Sequence, residues 1–331
     1  MSSLSRVVIT GANGFIGRHL TAAQLAQGRQ IVAVDQKVGN LDDIRHDPML
    51  IVIQADILDT ATLSEAIDGA DIVFHLAAAH LDVTAAESHY RAINVDALAN
   101  LLRLSEAAGV QRFVHCSTVG VYGSISTLPA DETSPCRPDI AYESTKLDGE
   151  DLVRKAADDG YLSTVIIRPS WVYGPGCPRT LKLLRSIARK KFFFVGSANN
   201  MRHPLYIGDL LQAFERAATH PTIPGSTFII AGPEAISVRE LVQVASKALG
   251  VQYNPITVPR VLVAAGCTII EKTFAALHRQ PPFSSRSLKF FTESSAFSTT
   301  KAKNELEFEA RTALSDGLSS TISTLNQKGL L

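Results

Sequence analysis

The sequence predicts an α/β fold, a doubly wound parallel sheet with a smaller, partly interleaved C-terminal lobe. In the first half of the chain, short β-branched runs alternate with helical patterns. The runs are apolar at nearly every position, which is typical of strands covered on both faces. The chain has 331 residues, of which 46% are hydrophobic and 19% charged, so a sizeable core is expected and disorder is not.

The predicted elements follow one another regularly up to about residue 168. The predicted strands are apolar and β-branched and lie near 7–10, 31–35, 50–53, 71–76, 112–117 and 163–168. Helical patterns separate them, over 15–23, 60–67, 90–108 and 141–158. This is the order of consecutive βαβ units with right-handed crossovers. The later part predicts a basic helix at 180–191, a hairpin-like piece at 192–201, strands at 205–209 and 226–230, and mostly helices from 237.

A glycine turn joins the first strand to the first helix, with the sequence Gly11-Ala12-Asn13-Gly14-Phe15-Ile16-Gly17. Gly11 allows the tight turn, Gly14 lets the backbone approach a pyrophosphate, and Gly17 lets the helix pack on the sheet. The free N–H groups at the helix start then face the phosphates. The turn predicts a Rossmann-type dinucleotide site, formed here by Gly11, Asn13, Gly14, Phe15, Ile16 and Gly17.

Asp35 indicates which dinucleotide is bound. It ends the second strand, close to the ~20-residue offset expected for a carboxylate on the adenosine ribose. A carboxylate there bonds the 2′-hydroxyl and repels a 2′-phosphate, so the predicted cofactor is NAD rather than NADP, although the nearby Lys37 weakens the preference. We expect an NAD-binding domain at 1–175 plus about 204–232, and a substrate-binding lobe at about 176–203 plus 233–331.

Charge and cysteine content restrict the partners. Lys+Arg and Asp+Glu both number 32, so no basic excess is available for nucleic-acid phosphates. The four cysteines lie far apart without metal-ligand spacing, which predicts reduced thiols in a cytoplasmic protein with no metal site. The N-terminus does not resemble a signal peptide, and the apolar run 261–270 is too short to span a bilayer. Stable membrane insertion is therefore not expected.

Tyr142 and Lys146 form the candidate acid/base pair. They are four residues apart in a helical segment, so both side chains lie on one face. A free phenol, with a pKa near ~10, is a poor base at neutral pH, and a nearby ammonium lowers that pKa by ~1–3 units. Lys146 could also donate to ribose hydroxyls. In a dinucleotide fold the spacing favours catalysis over a surface coincidence.

These motifs together resemble the extended short-chain dehydrogenase/reductases known as NAD-dependent epimerase/dehydratases. The resemblance covers nearly the whole chain. It rests on 10–17, Asp35, Asp56, His75-Leu76-Ala77-Ala78, Asn94-Val95, Cys116-Ser117-Thr118, Val121-Tyr122-Gly123, Tyr142 with Lys146, Arg168-Pro169 and Tyr173-Gly174-Pro175-Gly176.

The resemblance implies a role for each matched residue. Tyr142 would be the general acid/base, Lys146 would tune it and hold the nicotinamide ribose, and Thr118 would bond the substrate oxygen. The remaining cofactor contacts would be Asp56 and Ile57 at the adenine, Leu76, Ala77 and Ala78 along the pyrophosphate and ribose, and Pro169 and Ser170 at the nicotinamide. The candidate substrate residues are Ser117, which competes with Thr118, and His80, Asn94 and Arg202, the last for a substrate phosphate. Asn94 could equally be a helix-interior amide bonding backbone.

One departure from the family pattern is informative. Nucleotide-sugar 4,6-dehydratases of this family carry Asp-Glu directly after the catalytic threonine, where this chain has Val119 and Gly120. Neither residue can move a proton, so the prediction is an epimerase or dehydrogenase and not a 4,6-dehydratase.

Three functions follow from these residues. The first is an NAD-dependent epimerase or dehydrogenase acting on a nucleotide-linked sugar. The second is a dehydrogenase of apolar alcohols, because the tail at 282–306 resembles relatives of 3β-hydroxysteroid dehydrogenases. The third is a non-catalytic NAD sensor, which the Thr118, Tyr142 and Lys146 set disfavours. Relatives usually dimerise through two helices per subunit, so we expect a homodimer formed by the helices at 90–108 and 141–158.

Overall fold

A computed structural model describes residues 6–79, 85–221, 223–276 and 285–331. The strands are β1 (Arg6–Thr10), β2 (Gln30–Asp35), β3 (Leu50–Gln54), β4 (Ile72–His75), β5 (Arg112–Cys116), β6 (Thr164–Pro169), β7 (Trp171–Tyr173), β8 (Phe194–Val195), β9 (Met201–Arg202), β10 (Pro204–Tyr206), β11 (Ser226–Ile230), β12 (Ile236–Ser237) and β13 (Thr257–Val258). The helices are α1 (Phe15–Ala26), α2 (Thr60–Ile67), α3 (Glu87–Arg91), α4 (Ala97–Ala107), α5 (Ala141–Asp158), α6 (Pro178–Ala188), α7 (Ile207–Thr219), α8 (Val238–Ala248), α9 (Arg260–Ala276), α10 (Ser285–Thr292), α11 (Thr300–Glu305) and α12 (Leu314–Gln327).

Seven of the described strands form one parallel sheet in the order β11-β6-β5-β4-β1-β2-β3. The chain winds outward from β1 to β3 and then restarts on the other side of β1 at β4. In such sheets, ligands bind beyond the carboxyl ends of the strands where the winding direction reverses. The predicted doubly wound, Rossmann-type sheet is confirmed, and its switch point lies between β1 and β4.

Both faces of the sheet are covered because alternate strand residues point to opposite sides. Val7 and Ile9 belong to a core cluster with α1 and α7, whereas Val8 belongs to a second cluster with α2, α4 and α5. The first cluster also includes four residues from near the end of the chain: Ala302, Leu306, Phe308 and Ala310. The last part of the chain therefore completes one covering layer of the sheet.

Three short strand pairs lie outside the seven-stranded sheet. β7 pairs with β10 in parallel, β9 pairs with β12 antiparallel, and β8 pairs with β13 in parallel. A separate core cluster lies under α6, α8 and α12. These pairs link segments far apart in the chain, as expected for interleaved lobes. The residue ranges predicted for the two domains stay a prediction.

Three predicted elements differ from the structure. The strand predicted at 205–209 ends at Tyr206 and α7 begins at Ile207, because Asp209 lies in the first helical turn and accepts hydrogen bonds from Thr312. The helix predicted at 90–108 is interrupted by a π turn, Ala92–Asp96. The hairpin-like piece at 192–201 is no hairpin, because β8 and β9 pair with later strands.

Candidate active site

The glycine turn forms the wall of a cleft of about 410 Å³ at the switch point of the sheet. Gly11 has φ +72°, and a Cβ on it would lie 2.6 Å from the Ala77 nitrogen at the end of β4. A Cβ on Gly17 would lie 2.1 Å from the Gly11 carbonyl oxygen. The lining includes eight predicted cofactor residues: Gly11, Asn13, Gly14, Asp35, Ile57, Leu76, Ala77 and Ala78. Because Gly11 and Gly17 carry no side chain, the turn can pack this closely and the cleft beside it stays open for a dinucleotide.

Gly17→Ala is expected to weaken NAD binding at least about tenfold and to lower the melting temperature. The added methyl overlaps the Gly11 carbonyl, so the glycine turn must move away from α1. Calorimetric titration with NAD and thermal unfolding measure both effects. Gly266→Ala is the control, because nothing lies within 4 Å of its added methyl. An affinity for NAD equal to that of the unmodified protein would contradict the assignment of this turn.

Asp35 organises the end of the cleft next to β2. Its carboxylate accepts backbone N–H bonds from Asn13 and Lys37, each at 3.0 Å, which ties the end of β2 to the glycine turn. Asp56 accepts from the Gln36 side chain at 2.7 Å and from the Leu58 nitrogen at 2.9 Å. Asp56 therefore stabilises the loop after β3, while its neighbour Ile57 lines the cleft.

Other predicted cofactor residues lie at the ends of elements around the cleft. Phe15 and Ile16 begin α1 and pack against the core cluster of α1 and α7. Pro169 ends β6, and Ser170 follows it with its nitrogen bonded to the Ile230 carbonyl at 2.8 Å. The buried Ser170 hydroxyl has no partner in the described part of the chain, which fits a position beside a bound group.

The three predicted catalytic residues come from two elements. Thr118 follows β5, and its hydroxyl accepts from the Gly120 nitrogen at 3.0 Å, capping the short helical turn Val119–Tyr122. Tyr142 and Lys146 lie one turn apart on α5, and the Tyr142 ring meets the Tyr90 ring edge-on at 6.3 Å. Capping leaves the threonine hydroxyl hydrogen able to donate.

Lys146 connects α5 to the end of β5. Its ammonium donates to the Cys116 carbonyl at 2.7 Å and lies 3.2 Å from His115 Nε2. Burial lowers the pKa of Lys146 to about 8, and interactions with Cys116 and Glu150 oppose that fall. The lysine therefore remains largely an ammonium at neutral pH, which is the form that stabilises a nearby phenolate.

A buried ion pair behind the site was missed in the sequence. Glu150, two turns after Tyr142, is bound by Arg168 Nε at 2.9 Å and by a second guanidinium nitrogen. Arg168 also donates to the Tyr122 hydroxyl at 2.7 Å. The Ser117 hydroxyl donates to Glu150. The Ser117 hydroxyl is thus engaged by the buried pair, which favours Thr118 over Ser117 as the group that bonds a substrate oxygen.

Two further substrate candidates are bound to the protein itself. Asn94 accepts from the Ala79 nitrogen and donates to Thr145, each at 3.0 Å, so it acts as the helix-interior amide considered above. The Arg202 guanidinium donates to the carbonyls of Phe290 and Lys289 and to Ser295. Burial lowers the pKa of Arg202 to about 10. This placement argues against the predicted phosphate contact. His80 lies outside the described residues.

Comparisons with known proteins identify the family. The model of the NAD dependent epimerase/dehydratase family matches residues 7–231. A 3 beta-hydroxysteroid dehydrogenase/Delta 5→4-isomerase of Mycobacterium tuberculosis is 32% identical over 76% of this chain and 71% of its own length. A 3beta-hydroxysteroid-dehydrogenase/decarboxylase of Arabidopsis thaliana is 26% identical over 96% of this chain, which spans 62% of that relative's length.

Among solved structures, the UDP-glucuronic acid 4-epimerase of Bacillus cereus, in complex with NAD, is 25% identical. It superposes with a TM-score of 0.80 and covers 98% of this chain and 99% of its own. NAD is thus the cofactor of the family, and the glycine cradle and Asp35 fit it. The prediction of NAD is confirmed. The chain belongs to the NAD-dependent epimerase/dehydratase family.

Proposed function

We propose that the chain catalyses NAD-dependent oxidation, reduction or epimerisation at a secondary alcohol or ketone, most readily of a nucleotide-linked sugar. The observation that carries the proposal is the buried Lys146 ammonium, held against the Cys116 carbonyl on the helix that bears Tyr142. A purely structural lysine at this depth would be costly, because burial disfavours its charged form. The family membership and the NAD cleft supply the reaction class.

The roles proposed for the three side chains follow from their chemistry. Tyr142 would exchange a proton with the substrate oxygen, and the Lys146 ammonium would stabilise the phenolate form. Thr118 would hold the same oxygen, since its hydroxyl can donate and accept as charge moves. The nicotinamide ring of bound NAD accepts or supplies the hydride. Asp35 would hold the adenosine ribose, and Ser170 would border the nicotinamide.

We further propose the extended short-chain dehydrogenase type without 4,6-dehydratase activity. Val119 and Gly120 begin the short helical turn after Thr118. By the family resemblance they occupy the two positions that carry a proton-transferring pair in those dehydratases. Neither side chain can act as an acid or a base. Elimination of water from a dTDP- or UDP-hexose is therefore not expected.

A nucleotide-linked sugar is favoured by the basic surface of the smaller lobe. Arg179, Lys182 and Arg189 are exposed on or beside α6, and no acidic residue occurs between Asp159 and Asp209. Such a surface attracts a diphosphate-bearing substrate. The Bacillus cereus epimerase, similar over its whole length, bears a name that specifies UDP-glucuronic acid.

An apolar secondary alcohol is the second candidate, favoured by Arg202 and its aromatic neighbours. Arg202 stacks on the Phe290 ring at 4.7 Å and donates to backbone carbonyls, so its charge is already compensated. Trp171 meets Phe290 edge-on at 5.8 Å, and Phe290 meets Phe291 at 5.1 Å. These rings form an apolar cluster around Arg202. A non-catalytic NAD sensor is the third candidate, and it gives no reason for the buried lysine.

A substrate panel separates the three candidates. The protein with NAD is incubated with UDP-sugars, dTDP-sugars and 3β-hydroxysterols while NADH absorbance is followed and products are separated by chromatography. Isomer conversion without net NADH establishes an epimerase. Net NADH with a sterol alone overturns the sugar proposal. Tight NAD binding without turnover of any class supports the sensor.

Asp35→Ala is expected to reduce the preference for NAD over NADP by about tenfold or more. The change removes the carboxylate that bonds the ribose 2′-hydroxyl and repels a 2′-phosphate. The dissociation constants of both cofactors are measured by calorimetry. Asp68→Ala, at an exposed carboxylate directly after α2, is the control. A ratio of NAD to NADP affinity unaffected by Asp35→Ala would show that another group selects the cofactor.

The assembly and location stay proposals. We propose a homodimer built from α4 and α5, as the family resemblance implies. Light scattering after gel filtration gives the mass in solution.

Among the described residues no helix is long and apolar enough to cross a bilayer, and no three His, Cys, Asp or Glu side chains are grouped as metal ligands. A cytoplasmic location rests on the predicted reduced cysteines alone.

A further inference from the structure

A stack of two buried histidines lies directly beneath Lys146. His75 ends β4 and His115 lies opposite it on β5, with ring centroids 5.3 Å apart and an interplanar angle of 21°. His75 Nδ1 lies 2.8 Å from the Thr10 hydroxyl at the start of the glycine turn. His115 Nε2 lies 3.2 Å from Lys146 Nζ. Both rings are about 1% exposed.

We propose that His115 is a positioning residue, whose neutral ring accepts an N–H bond from the Lys146 ammonium and fixes it beside Tyr142. The inference rests on the proposed function for its effect on turnover. Its effect on Lys146 itself can be measured without any substrate.

The protonation states follow from the surroundings. Lys146 is faced by His115 and Cys116 from β5, by His75 from β4, and by Tyr142 and Glu150 from α5. Burial, and then the charge of Lys146, hold the pKa of His115 well below its usual range. The same two causes lower the pKa of His75 to about 3. Both rings are neutral, so His115 Nε2 is an acceptor and Nδ1 carries the proton.

The other ring nitrogen of His115, Nδ1, indicates why a histidine and not an apolar ring occupies this position. Nδ1 is buried and has no hydrogen-bond partner in the described part of the chain. A buried donor without a partner costs free energy, so an apolar ring of similar size would serve packing better. The benefit of a histidine here is therefore the bond from Nε2 to Lys146. Together with the Cys116 carbonyl, it occupies two of the three ammonium hydrogens and leaves one for the cleft.

The test compares three variants by the titration of Lys146. Lysine is labelled with ¹³C at Cε, the Lys146 signal is assigned by its loss in Lys146→Met, and its shift is followed against pH. His115→Phe keeps the stack on His75 but removes the acceptor. His115→Gln keeps an acceptor near Nε2. His75→Phe is the matched control, because it alters the same stack without touching Nζ.

We expect the Lys146 titration midpoint to fall by about one pH unit in His115→Phe, because a charge-assisted hydrogen bond to the ammonium is lost. In His115→Gln the Lys146 midpoint stays close to that of the unmodified protein, and in His75→Phe it is unchanged. His115→Phe keeps or raises the melting temperature. With a substrate from the panel, the alkaline limb of kcat/KM moves down with the Lys146 midpoint.

An unchanged midpoint in His115→Phe, or an equal fall in His115→Gln, overturns the inference. If His115→Phe does not fold, His115→Leu removes the same acceptor and carries the same comparison. Absence of turnover in the unmodified protein would contradict the proposed function alone, because the Lys146 titration does not depend on catalysis.

Discussion

Tyr142→Phe is expected to reduce turnover by about a thousandfold while changing NAD affinity less than about threefold. The substitution removes only the hydroxyl, the atom proposed to exchange a proton with the substrate, and general acid/base groups contribute ~10²–10⁴-fold. The ring that contacts Tyr90 stays in place, so α5 and the cleft are preserved. Initial rates with a substrate from the panel measure turnover, and calorimetry measures NAD binding.

The control removes the same atom from a tyrosine far from the cleft. Tyr161 follows α5 with its side chain exposed, so Tyr161→Phe is expected to keep full activity. Near-normal turnover in Tyr142→Phe would show that another group transfers the proton. Loss of NAD binding together with turnover would instead assign Tyr142 to holding the cofactor.

The largest effect on stability is expected from Glu150→Ala, about 3–5 kcal/mol of the free energy of unfolding. Glu150 and Arg168 are both buried, and removing the carboxylate leaves the guanidinium bonded to the Tyr122 hydroxyl but without its charged partner. Urea unfolding at pH 7 measures the loss. Asp151→Ala is the control on the same helix, because its carboxylate is 71% exposed and its bond to Arg154 is a surface pair worth ~1 kcal/mol or less.

Replacing both partners by apolar residues tests whether the stability loss comes from an unpaired buried charge or from lost packing. Glu150→Leu combined with Arg168→Met is expected to be more stable than either single variant, because no unpaired charge remains. A double variant as unstable as the sum of the singles would show that shape complementarity, and not the ion pair, is responsible.

The contribution of Glu150 also has a defined pH dependence. Burial opposes ionisation, but the bonds from Arg168 and Ser117 and the nearby Arg154 hold the pKa of Glu150 below its usual 4.5. The carboxylate therefore stabilises the fold fully above pH 4.5, and this stability is lost as the pH falls through the lowered value. The difference between the unmodified protein and Glu150→Ala should shrink below pH 4.5.

The sheet and the cofactor cleft were predictable because their signals are local. Strand runs, the glycine turn and Asp35 lie within one βαβ unit, and their spacing is set by backbone geometry. The doubly wound parallel sheet and the cofactor NAD are confirmed. The π turn at Ala92–Asp96 was not predictable from local sequence. Asn94 within it bonds Ala79 and Thr145, which lie 15 and 51 residues away in the chain.

The polar groups behind the catalytic side chains were missed for a different reason. Glu150 lies on a polar helix and Arg168 lies next to the last residue of an apolar strand, so only the packing of α5 on β6 reveals their pairing. His115 occupies an ordinary strand position, and its contact with Lys146 spans 31 residues. Arg202 matched a family pattern, yet the position of α10 decides what it binds.

The residues from Ala302 to Ala310 have a consequence for synthesis. They cover a face of the sheet whose last strand, β11, ends at Ile230, about where the family match ends. During synthesis the last strand of that sheet is made about seventy residues before residues 302–310, which cover the face. Until then the apolar surface is exposed, and exposed apolar surface promotes aggregation. A fragment stopped near residue 231 would keep α1 and α7 on this face but expose the part that residues 302–310 cover, so the stability of the nucleotide-binding sheet depends on a segment that lies far from it in the sequence.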